Sequence, residues 1–173
     1  NWGTADSSVS VSGVLDLELD ARSYGFFHGQ QRSFFMHVSA FHHLYNALIG
    51  RPLRDQQAWR KEWFIDGGST NESALFSSVA HAARMSFRQS EVSIFLQQSS
   101  DWTELLNLHL SHRGLGDVVV NSSILDGDLS TEFSIHSRLP AITCGVLAGM
   151  FERAHGQHPL MNVTILATNV VMT

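Results

Sequence analysis

The chain has 173 residues, 43% of them hydrophobic, and a formal net charge of −5. That length fits one domain with a sizeable core, and the composition suits a soluble globular fold rather than a disordered chain. The mild negative charge excludes a globally basic nucleic-acid-binding surface, and a single cysteine, Cys144, excludes an internal disulfide and a cysteine-built metal site.

Ten of the eleven basic residues are arginine, Lys61 being the lysine. Sequons at Asn71, Asn121 and Asn162 argue little for secretion, because Asn162 opens a predicted buried strand. No basic segment followed by an apolar core marks a signal peptide. The longest apolar stretch falls short of the ~20 residues of a bilayer span. The first residue is Asn1 and the chain stops after an apolar run, so a processed product or a segment of a longer polypeptide is expected. The expected location is intracellular or within a viral particle.

Residues 1–8 are polar and read as a flexible arm on a single globular domain, 1–173. Val9, Val11, Leu15, Leu17 and Leu19 alternate with Asp16, Glu18 and Asp20, the period of a half-buried strand. Residues 24–31 carry two glycines and read as a loop. Phe34, Val38, Phe41, Tyr45 and Leu48 recur at helical spacing, with Gly50 as the stop. Pro52 can open a second helix through Trp59 and Trp63, ended by Asp66-Gly67-Gly68.

Ser69 or Thr70 can cap a third helix, with Leu75, Phe76, Val79, Ala80, Ala83 and Phe87 as its apolar side. Residues 92–97 read as a strand. Ser100 or Asp101 can cap the next helix, Asp101 and Glu104 having the spacing of a capping box; Trp102, Leu105, Leu106 and His109 share one side of it, and Gly114 ends it. Val118, Val119 and Val120 predict a short buried strand, residues 121–130 a turn-rich stretch, and Phe133 and Ile135 another strand. The uncharged run 139–151 predicts a buried helix, and 160–172 one buried strand after a polar break. Two strand–helix–strand units in this order could be parallel crossovers. The first strand alternates and should be one-faced. The expected class is therefore α+β (mixed α/β), a mixed sheet of about five strands with roughly four to five helices.

Motifs that fix a reaction are absent: no nucleophile elbow, phosphate loop, dinucleotide fingerprint or zinc-protease helix. The ten histidines include His37, His42 and His43 on one predicted helix, without the i,i+4 spacing of two ligands on a face. His109, His112 and His155 fall near helix ends, where the dipole explains them. No metal and no cofactor is assigned. The acids Asp16, Glu18 and Asp20 read as a solvated strand face. Catalytic candidates are His28, His37, His42, His81, Asp66 and Cys144, the last if the helix start at Pro140 lowers its pKa. His81, Arg84 and Arg88, at i, i+3 and i+7, share a helix face that could meet phosphate, RNA or a partner subunit. Gly145 and Gly149 let another backbone approach closely.

Two functions follow. The first is a structural or assembly protein, a subunit or processed fragment of a larger self-assembling complex such as a viral capsid, forming homo- or hetero-oligomers without a membrane. The alternative is a small α/β enzyme using the histidines and carboxylates above. Convergence of two or more of those groups in one pocket favours the enzyme; an unpaired final strand favours assembly.

Overall fold

The computed structural model describes residues 36–49, 62–67, 69–90, 92–98, 100–125, 129–165 and 170–173, and the backbone of 20–22, 25–28 and 31–33. Three short strands, β1 (Asp20–Arg22), β2 (Gly25–His28) and β3 (Gln31–Ser33), form an antiparallel sheet of their own. Gly25 thus opens β2 rather than lying in one open loop. The alternating stretch before Asp20 and the arm 1–8 lie outside the described residues, as do Pro52 and Trp59.

The main sheet comprises β4 (Trp63–Asp66), β5 (Asp117–Ile124), β6 (Ser130–His136), β7 (Met161–Ile165) and β8 (Val170–Met172), in the order β4-β7-β8-β6-β5. β4 runs parallel to β7, while β7–β8, β8–β6 and β6–β5 are antiparallel. With α1 (Val38–Ile49), α2 (Thr70–Gln89), α3 (Asp101–His109) and α4 (Pro140–His155), this is the α+β fold with a mixed sheet that the patterning predicts.

Local chemistry sets the helix limits. Ser69 and Glu72 make a reciprocal capping box at the start of α2: Ser69 N donates to the Glu72 carboxylate at 2.6 Å and Glu72 N to Ser69 Oγ at 3.3 Å. At its other end, Arg153 Nη1 donates to the carbonyls of Arg88 and Ser90, cations suiting a helix C-terminus. Pro140 opens α4, where its missing N–H is no loss, and Gly156 ends it at φ 68. The expected Asp101–Glu104 capping box is replaced by another arrangement. Asp101 accepts the amides of Gln97 and Gln98 at 2.8 and 3.1 Å, so its carboxylate ties down the preceding loop.

The core lies between one face of the sheet and the helices. Phe133, Ile135, Met161, Val163, Val170 and Met172 point inward from alternate strand positions. Trp102 of α3 is fully buried and meets Phe133 edge-on at 5.0 Å. α2 and α4 run side by side in the same direction. A Cβ on Gly145 would stand 2.1 Å from the Ala80 carbonyl oxygen, and one on Gly149 3.1 Å from Phe87. The two glycines therefore serve contact with α2.

Further expectations change. Trp63 is a buried strand residue of β4, not part of a helix: its burial beside Met161 of β7 outweighs its spacing from Trp59. Residues 92–96 form no strand; Ile94 is buried but Phe95 is 77% exposed, so the apolar run anchors a loop by alternate side chains. β5 is longer and more exposed than a short buried strand, because it is the sheet's last strand. The final apolar run is two strands, β7 and β8, and β8 is interior, paired with both β7 and β6. It is not an open edge. Of the two expected crossovers, β6–α4–β7 joins parallel strands with β8 inserted between them, and the earlier one lacks its first strand.

Candidate functional site

The densest polar cluster lies where α2 meets the end of α4. Glu152 follows Gly145 and Gly149 at helical spacing, so it emerges on the face applied to α2. Arg84 follows Ala80 by one turn and meets it. Its Nε donates to Glu152 Oε2 at 2.9 Å and its Nη1 to Glu62 Oε2 at 2.6 Å. Arg88 Nε lies 3.2 Å from Glu152 Oε1. Arg84 is only 2% exposed and Glu152 7%. Two guanidinium groups thus face two carboxylates, and the buried charges balance.

His158 closes the cluster. Arg84 Nη2 lies 2.6 Å and Glu152 Oε1 3.0 Å from its Nδ1. A guanidinium only donates and a carboxylate only accepts, so Nδ1 cannot serve both.

The His158 side chain also lines a cavity of about 380 Å³ between α4 and the sheet. Its floor is Phe133, Leu147, Phe151 and Met161, and Asn162 and Gln157 add polar groups. Such a space fits a small molecule with both apolar and polar groups. A second cavity, about 310 Å³, lies among α1, α2 and the start of α4, lined by Phe41, His42, Tyr45, Glu72, Phe76 and Arg138. Burial, with Glu72 nearby, pushes the Tyr45 hydroxyl up to about 12, so it stays a protonated donor.

The sequence-predicted residues do not converge. His28 lies in β2, its side chain outside the described set. His37 precedes α1 and pairs with its neighbour Ser39 at 2.7 Å. His42 Nε2 donates to the Arg138 carbonyl at 2.6 Å, which links α1 to the start of α4. Asp66 is exposed at the end of β4. His81 sits half-buried on α2, its imidazole held below the ordinary value by burial and then by Arg84. Cys144 is fully buried in mid-helix, and desolvation pushes its thiol up, the reverse of what a helix-start nucleophile requires.

The Arg84/Arg88 face also departs from expectation. Arg84 is sealed between α2 and α4 by carboxylates of the same chain, so it cannot present charge to phosphate or RNA. Sequence reasoning missed Glu62, Glu152 and His158. For Glu152 the available signal was its place on the glycine face, at i+7 from Gly145. Among the described residues, no three histidine, cysteine or acidic side chains are grouped to hold a metal ion, and no helix is long and apolar enough to cross a membrane. No family model, curated protein or solved structure matches the chain.

Proposed function

We propose that the chain is a structural subunit of a larger self-assembling complex, such as a viral capsid, that works through homo- or hetero-oligomeric contacts. The observation that carries this reading is the number of large apolar side chains left in solvent. Phe95 is 77% exposed, Leu160 66%, Val119 and Ile124 55%, and Phe64 54%. Phe64 and Val119 both belong to the sheet face opposite the core residues, on its two outermost strands. Isolated exposed apolar groups are ordinary, but apolar side chains spread over one open face suit burial against other subunits.

The enzyme reading needs two of His28, His37, His42, His81 and Asp66 within hydrogen-bond reach of one reacting atom. Those whose side chains are described do not converge: His37 bonds Ser39, His42 bonds the Arg138 carbonyl, and Asp66 is exposed at the end of β4. Size-exclusion chromatography with light scattering tests the proposal. The expected result is a mass that rises above the monomer as concentration increases. A monomer at every concentration, alone and with the proteins it is produced with, overturns it.

A further inference from the structure

We propose that the cavity under α1 binds a small zwitterion with an apolar body, of the class of an amino acid with an aromatic or branched side chain. Its carboxylate would sit on Arg138 and its ammonium on Glu72. The site does not depend on the assembly reading, since a monomer would carry it.

The cavity measures about 310 Å³, at the lower end of ligand sites of roughly 300–1,000 Å³. Phe41, Phe76, Ile165 and Val170 make its walls mainly apolar. Phe41 and Tyr45 are half-buried, their rings 5.9 Å apart and tilted by 31°. α1 has the apolar spacing of a helix that buries one face, yet none of its residues is fully buried. Its apolar side borders space instead, and atoms lining such a space lack packing partners that a guest would supply.

Two opposite charges line the same cavity. Oε2 of Glu72 accepts the Ser69 amide, which holds this carboxyl below the usual range and so keeps it charged. Its Oε1 has no hydrogen bond or ion pair among the described residues. Neither has the guanidinium of Arg138, whose contact with His42 is through its carbonyl. The two charges also do not pair with each other, so a guest can lie between them. A lone carboxylate there would face Glu72, and a lone amine would face Arg138. A zwitterion answers both, with charge-assisted bonds at each end. The Tyr45 hydroxyl, kept protonated by its raised pKa of about 12, and the Asn46 amide add further donors. Leu139, Pro140 and Ala141, at the start of α4, line the cavity beside Arg138, and the helix dipole favours the carboxylate at that end.

Isothermal titration calorimetry with three probes tests the site: L-phenylalanine, phenylpropionate, which lacks the ammonium, and phenethylamine, which lacks the carboxylate. Phenylalanine should bind, and each half-probe should bind about tenfold more weakly or worse. Arg138→Gln should weaken phenylalanine and phenylpropionate about tenfold and spare phenethylamine. Glu72→Gln should weaken phenylalanine and phenethylamine and spare phenylpropionate. Glutamine still serves the capping box, and Arg138→Gln keeps the carbonyl that holds His42; circular dichroism checks that both variants are folded. Hydrogen exchange should locate the guest, with the α1 amides slowed by excess phenylalanine. The proposal is overturned if phenylalanine fails to bind at millimolar concentration, or binds no better than the half-probes. Binding that both folded variants leave unchanged, or that leaves α1 exchange unaltered, also overturns it. Light scattering bears on the assembly reading alone, so the two fail separately.

Discussion

Glu152 holds two arginines in place, and removing its charge leaves Arg84 buried with only Glu62 opposite. Breaking one partner of a buried pair typically costs about 3–5 kcal/mol, whereas replacing both with apolar groups is often neutral. Glu152→Gln should therefore lower stability by about 3 kcal/mol, and Arg84→Met by a similar amount. The double variant should lose less than the sum of the two, as urea unfolding of the four proteins in a double-mutant cycle would show. This pair was legible only in part. The spacing of Arg84 and Arg88 was visible, but their partner sat in what read as a polar break, since a charge after an apolar run resembles a helix end. A second residue-scale effect concerns His109, which is 4% exposed and packs edge-on against Phe87. Burial, then Arg113, holds its imidazole below the ordinary 6.5. Below that value the unfolded chain binds more protons than the folded one, so stability is full above about 6.5 and falls as acid is added. His155 adds to the same trend through its own desolvation. Thermal unfolding followed from about pH 7 to about pH 5 should show the decline, and His109→Phe should make it shallower. Near-neutral behaviour of that variant at high pH is also expected, because Nδ1 of His109 has no hydrogen-bond partner among the described residues.

At the scale of elements, the contact between α2 and α4 depends on Gly145 more than on Gly149. A methyl group at Gly145 would lie 2.1 Å from the Ala80 carbonyl oxygen and 2.7 Å from Ala83 Cβ, and neither backbone nor Cβ can swing aside. At Gly149 the nearest atoms are 3.1 to 3.2 Å away and include the Phe87 ring. Gly145→Ala must push the helices apart and strain the Arg84–Glu152 bonds beyond them, so a loss of about 3 kcal/mol or more is expected. Gly149→Ala should lose about 1 kcal/mol. Chemical denaturation that ranked the two in reverse order would refute this account. The glycine spacing was readable because close approach has a sequence signature, and so was α2, whose capping box and apolar side agree. Residues 92–96 were not, because a short apolar run looks alike whether it forms a strand or anchors a loop. What separates the two is pairing, since residues 92–96 join neither sheet among the described residues.

For the whole molecule, the class of fold was legible and the strand order was not. Mixed periodicities point to helices on a mixed sheet, but nothing local tells the chain that β8 inserts between β7 and β6. That choice comes from long-range pairing, which sequence patterns do not encode. Nor does the pattern reveal which side of the sheet stays open, since alternation is the same for a face turned to solvent and one turned to a partner. The exposed rings supply the last prediction. Phe64 is 54% exposed on β4 and Phe95 77% exposed in the loop before α3. Substitutions at such positions, away from caps and buried partners, usually change stability by no more than about 0.5 kcal/mol. Phe64→Thr puts a β-branched side chain of good strand propensity in place of the ring, and Phe95→Ser puts a polar one in the loop. Together they should leave the urea midpoint of the monomer almost unchanged. If these side chains lie within subunit contacts, the concentration at which light scattering detects association should rise at least about tenfold, the equivalent of about 1.4 kcal/mol of lost contact. Unchanged association would place the subunit contacts elsewhere. A fall in monomer stability would mean instead that these rings are covered within the chain.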